Sequence, residues 1–106
     1  MKLKNYQEKS LYWLRRYYER CRALGEARDR FPVSTAFTSI TAEVHEGQGL
    51  PYADVPQLPG IPYVCLRIPT GGGKTVVGCE AVAVAQKELL RADRSLVLWL
   101  VPSDAI

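Results

Sequence analysis

The run Ile68-Pro-Thr-Gly-Gly-Gly-Lys-Thr75 constrains this 106-residue chain more than any other stretch. It follows the apolar segment 62–68 and opens into Val76–Leu90, rich in small apolar residues. A glycine-rich turn leading into a helix with Lys-Thr at its mouth is the arrangement that cradles a nucleotide triphosphate. Glycines let backbone N–H groups approach phosphate oxygens with no Cβ in the way. Thr70, Gly71, Gly72 and Gly73 would form the cradle, Lys74 would reach the β- and γ-phosphates, and Thr75 would present its hydroxyl to Mg²⁺. The dipole of the following helix adds attraction for the anion. The strict pattern Gly-x4-Gly-Lys-[Ser/Thr] asks for glycine where this chain has Ile68, so the match is to its Gly-x-Gly-Lys-Thr half. The competing reading is a glycine-rich surface turn with an incidental lysine.

Around this motif the chain reads as three stretches. Residues 1–46 form a helical, basic head. Leu3, Tyr6, Ser10, Leu14, Tyr17, Cys21 and Leu24 step by three or four, with Trp13 and Tyr18 widening the stripe, which predicts a helix over about 5–24 capped by Gly25. A second helix is expected from a Ser34-Thr35 cap, with Phe37, Ile40, Thr41 and Val44 on one face and Gly47 at its end. Residues 47–62 hold three glycines and four prolines, Pro51, Pro56, Pro59 and Pro62, and read as a surface loop. Residues 63–106 complete a P-loop unit: Tyr63–Ile68 as a buried strand marred only by Arg67, a crossover helix buried on most sides, and 96–101 as a second buried strand stopped by Pro102. Strand, helix and strand predict a right-handed βαβ unit with parallel strands, an α/β fold preceded by two helices.

Charge is unevenly placed. Residues 1–30 carry nine Lys/Arg against four Asp/Glu, and the remainder five against seven, within a net +3. A basic head with Tyr12, Trp13, Tyr17 and Tyr18 among arginines suits single-stranded nucleic acid, although aromatics at helical spacing are more often core. No apolar run reaches the length needed to cross a bilayer, and no signal-peptide core follows the N-terminus. Cys21, Cys65 and Cys79 show no metal-ligand spacing and read as reduced core thiols of a cytoplasmic protein. His45 is assigned no role.

Pro69-Thr-Gly-Gly-Gly-Lys-Thr75 closely resembles motif I of superfamily 2 helicases, and 98–106 resembles the motif Ia strand and turn of the same group. Leu3-Lys-Asn-Tyr-Gln7 is similar to the Tyr-Gln stretch upstream of motif I, where a glutamine contacts adenine. Together they resemble the N-terminal ATPase piece of DEAD/DEAH-type helicases in the type III restriction-subunit and UvrB-like branch. The resemblance implies a partial RecA-like P-loop NTPase lobe, ATP and Mg²⁺ as ligands, Lys74 as catalytic residue, and Gln7 as reader of adenine. It also implies nucleic acid as partner, DNA ahead of RNA with the choice between them left open, with Ser103 and Asp104 near its backbone, and no membrane. The sequence carries no Asp-Glu-x-His or Asp-Glu-Ala-Asp box and no arginine finger, so we expect nucleotide binding without turnover. At this length the expectation is an N-terminal fragment that needs the remaining helicase lobes or a longer parent chain. A non-catalytic nucleic-acid-binding module built on the N-terminal helix is the alternative. A P-loop protein of another kind, a small kinase or partitioning ATPase, fits Ile68 and the Pro-Ser-Asp turn less well. Two parallel strands would leave open edges and an uncovered face, predicting marginal stability.

Overall fold

The computed structural model describes residues 3–68 and 73–100 and is helical. Helix α1 spans Asn5–Glu26, α2 spans Pro32–His45, and α3 spans Lys74–Val84, continuing into a π-helical turn at Ala85–Leu90. The chain between α2 and α3 is irregular, and so is the chain from 91 to 100.

Helix α1 forms because its apolar residues return every three or four positions. Leu11, Leu14, Tyr17 and Cys21 are buried, together with Gln7. The stripe lies slightly rotated from the expected one, with Gln7 and Leu11 inside and Tyr6 and Ser10 half-buried. Its C-terminus runs past Gly25. The Arg28 N–H donates to Gly25 C=O at 3.0 Å and the Asp29 N–H to Leu24 C=O at 2.9 Å, closing a Schellman motif. The left-handed position in that motif belongs to Arg28, at φ 60°.

Helix α2 starts at Pro32, whose fixed φ and missing N–H suit the first helical position. The expected Ser34-Thr35 cap therefore lies inside the helix. Asp29 supplies the nearby acceptor: its Oδ1 takes the Phe31 N–H at 2.8 Å and the Thr35 hydroxyl at 3.3 Å. The helix ends on a second Schellman closure, Gly47 N–H to Ala42 C=O at 3.0 Å, with Glu46 left-handed at φ 52°.

The two helices meet through Tyr17 and Cys21 of α1 and Val33, Ala36 and Ile40 of α2. Ala36 has no exposed surface, so the helices approach closely there. The Tyr17 hydroxyl donates to Val33 C=O at 3.2 Å, and burial pushes its pKa well above the ordinary tyrosine value. On the other side of α1, Leu11 and Leu14 pack with Val77 and Val84 of α3, and Val64, Leu66 and Ile68 close that cluster from the connecting chain.

The α/β expectation is corrected by this architecture. Among the described residues there is no strand and no sheet, so neither the βαβ unit with parallel strands nor a partial RecA-like P-loop NTPase lobe is supported. Residues 63–68 do alternate in burial, with Val64, Leu66 and Ile68 inward and Tyr63, Cys65 and Arg67 exposed. That is the two-residue period of extended chain lying on helices, without a neighbouring strand to complete a ladder. It also removes the conflict over Arg67, which points outward. Residues 96–100, expected as a buried strand, are exposed throughout. Apolar content alone does not make a strand when no partner accepts its N–H and C=O groups. The crossover helix is correspondingly less enclosed than expected. Val77 and Val84 are buried, whereas Cys79, Glu80 and Ala83 are exposed. The cysteine expectation holds for Cys21 alone, since Cys65 and Cys79 are exposed, and all three are free thiols.

Among the described residues no helix is long and apolar enough to cross a membrane.

Candidate nucleotide site

The glycine run ends at Gly73, which caps the N-terminus of α3 with φ 73° and ψ 44°. This left-handed conformation is open to glycine at little steric cost. A second constraint acts at the same position. A β-carbon on Gly73 would lie 2.5 Å from Gln7 Nε2, closer than a Cβ approaches a neighbouring atom in folded proteins. Glycine is thus favoured here by backbone conformation, and any larger residue would also have to displace the Gln7 amide.

Lys74 and Thr75 are the first two residues of α3, and both are exposed. The first N–H groups of a helix have no intrahelical acceptor, and they carry the positive end of its dipole. The first turn of α3 holds no acidic residue to neutralise that end. Gly73 C=O begins the ladder by accepting the Val77 N–H at 3.1 Å. An ammonium and a hydroxyl therefore sit together at a solvent-facing helix mouth. This combination is chemically suited to a phosphate chain with a divalent cation.

Gln7 lies far from this mouth in sequence and beside it in space. Helix α1 starts with Lys4 in an extended conformation, and Gln7 Oε1 accepts the Lys4 backbone N–H at 2.9 Å. Lysine offers no side-chain acceptor to return the bond, so the cap is one-sided. The structure thus brings together Gln7, Gly73, Lys74 and Thr75. Thr70, Gly71 and Gly72, the rest of the expected cradle, lie outside the described residues, as do Ser103 and Asp104. Among the described residues no group of His, Cys, Asp and Glu could hold a metal ion by itself. Thr75 carries a single hydroxyl at the first turn of α3.

The burial of Gln7 had one legible signal, its place one turn before Leu11 on the apolar stripe. Its contact with Gly73 had none, because the contact is made across the whole intervening chain.

The basic aromatic face of α1 is largely committed within the molecule. Tyr17 is buried, while Trp13 and Tyr18 pack against the α1–α2 core. Burial raises the Tyr18 pKa as well. Arg16 and Arg20 both bind the Glu43 carboxylate, at 2.7 and 2.9 Å, and Arg20 also reaches the Ser39 hydroxyl. The hydrogen bonds from Arg16 and Arg20 hold the Glu43 pKa below its ordinary value. Arg22 donates to Leu89 C=O at 3.0 Å and pairs with Glu26 at 3.5 Å. Tyr12, half exposed, stands edge-on to Trp13 with ring centroids 5.1 Å apart.

A second concave region lies toward the far end of α3, lined by Cys79, Val82, Gln86, Lys87, Arg91 and Asp93. Gln86 spans it, donating to Asp93 C=O at 3.0 Å and accepting the Ser95 hydroxyl at 2.7 Å. These bonds fix the exit of the chain from the π-helical turn.

Comparison of the chain with protein-family models, with curated proteins and with solved structures gave no match.

Proposed function

We propose that this chain binds ATP with Mg²⁺, as the nucleotide-binding segment of a nucleic-acid-dependent ATPase of helicase type. The resemblance to helicase motif I supplies the type of ATPase. The observation that carries nucleotide binding is the junction at Gly73. A left-handed glycine there opens a helix whose first two residues, Lys74 and Thr75, face solvent with no acidic residue in the turn. Lys74 would pair with the β- and γ-phosphates, and Thr75 would complete the cation's shell together with phosphate oxygens and water. In-line attack on a γ-phosphate also needs a group that orients water and a cation that stabilises the departing charge. The residues named here are assigned neither role, so the proposal concerns binding.

Titration calorimetry with MgATP tests the reading. Binding is expected, and Lys74→Ala is expected to weaken it by at least about tenfold, the scale of one charge-assisted hydrogen bond. The proposal fails if ATP, ADP and GTP all give no heat in the presence of magnesium. Phosphate release above background that disappears in Lys74→Ala would add turnover to the binding proposed. The nucleic-acid module on α1 gains no specific support, because Arg16, Arg20 and Arg22 already have partners within the protein.

A further inference from the structure

We infer that Gln7 is a positioning residue that holds the end of the glycine run against α1, and that it does not read the base. The inference rests on the nucleotide-binding proposal and assigns that site its selectivity. Reading adenine by a carboxamide requires both its C=O and its NH₂ to face the base edge. Gln7 does not present such an edge, because only 6% of the residue is exposed. Its Oε1 is held by the Lys4 N–H at 2.9 Å, which turns the amide plane back along the first turn of α1. Its Nε2 stands against Gly73, where even one added carbon would come within 2.5 Å. The side chain is bonded to the Lys4 N–H at the start of α1 and lies against Gly73 at the start of α3. Lys74 follows immediately, so the aim of its ammonium depends on where Gly73 is held. A site built this way grips the phosphates and leaves the base unread.

The discriminating probes are MgATP, MgGTP and magnesium tripolyphosphate, which has no base at all. Wild type is expected to bind all three with similar affinity. Gln7→Met keeps the length of the side chain and removes its hydrogen bonding. It is expected to raise Kd for all three by the same factor, about three- to tenfold for a lost hydrogen bond. The stoichiometry of binding should stay near that of wild type, whereas a variant that merely folds less well would lose binding sites at unchanged Kd. Gln7→Asn, which keeps the carboxamide on a shorter stem, is expected to fall between the two. A loss confined to MgATP would overturn the inference and restore base reading. An unchanged Kd, with or without lost sites, would overturn it as well. If wild type binds none of the three probes, the nucleotide-binding proposal itself fails, an outcome distinct from both.

Discussion

The two sides of α1 are held by different chemistry. Toward α2, apolar contact among Tyr17, Cys21, Val33, Ala36 and Ile40 is reinforced by directional bonds: Tyr17 to Val33 C=O, and Arg16 and Arg20 to Glu43. Toward α3, the contact is aliphatic, Leu11 and Leu14 against Val77 and Val84, with the Arg22 bond to Leu89 C=O at its far end. Hydrophobic burial is non-directional, and bonds of fixed geometry add register. The helical hairpin α1–α2 is thus the specified part of the molecule. Helix α3, which carries Lys74 and Thr75, is docked by a greasier and more forgiving contact.

The largest expected effect tests whether the two sides differ in cooperativity. Ile40→Ala empties a position that is 4% exposed between the two hairpin helices, and should cost about 2–4 kcal/mol of global stability. Val77→Ala removes two methyl groups from the α1–α3 contact and should cost about 1–2 kcal/mol. Amide hydrogen exchange distinguishes where the loss is felt. Ile40→Ala should lower protection throughout α1 and α2, and Val77→Ala should lower it in α3 alone. Equal loss in all three helices from Val77→Ala would make the protein one cooperative unit and remove the distinction.

Helix periodicity was the legible part of this fold. Leu14, Tyr17 and Cys21 follow from spacing alone, and so does a second helix around Phe37 and Ile40. Closure of the helices was less so. Spacing points to Gly25 and Gly47 as the closing residues, yet the left-handed positions belong to Arg28 and Glu46. Those sites are fixed by which carbonyl each N–H can reach, and ordinary residues can be held there at a cost. The expected strands are absent among the described residues for a different reason. A run such as Leu96–Val101 shows a wish to be buried, while a strand also requires a neighbour, and the neighbour is a property of the whole chain. At the candidate site, the motif named Gly73, Lys74 and Thr75. The resemblance named Gln7, but only the packing of α1 beside α3 revealed what its amide touches.

Arg28 offers a smaller test of how well the hairpin is specified. Its φ of 60° is one that glycine adopts without strain. Arg28→Gly should therefore stabilise the protein by about 0.5–1 kcal/mol in denaturant titration. A loss of stability would show that the arginine side chain contributes more than its backbone strain removes.

The Glu43 clamp should give a weaker effect, since the carboxylate is open to water and screened by salt. The hydrogen bonds from Arg16 and then Arg20 lower its pKa from the ordinary 4.5, so its contribution is complete above that value and is lost as pH falls through the folded-state value. Wild type should exceed Glu43→Gln in stability at neutral pH, and the two should converge in acid. The gap should also narrow at high salt. A difference that persists at low pH would mean that Glu43 acts through packing and not through charge.

The smallest expected effect lies beyond α3, where the contrast with the hairpin is greatest. Leu98 and Leu100 are each 81% exposed, and the nearest restraint on this segment is Trp99, whose ring lies over Gly78 of α3. A leucine already in water contributes almost nothing to the folded state, so Leu98→Lys should leave stability unchanged within about 0.5 kcal/mol. Solubility is where the substitution should act. A run of apolar residues without backbone partners favours strand pairing between molecules, and one lysine opposes it. Light scattering at increasing protein concentration should therefore separate Leu98→Lys from wild type while their unfolding curves overlay. A clear drop in the midpoint of unfolding would mean that Leu98 is buried in solution, and the segment would then belong to the α3 side of the core.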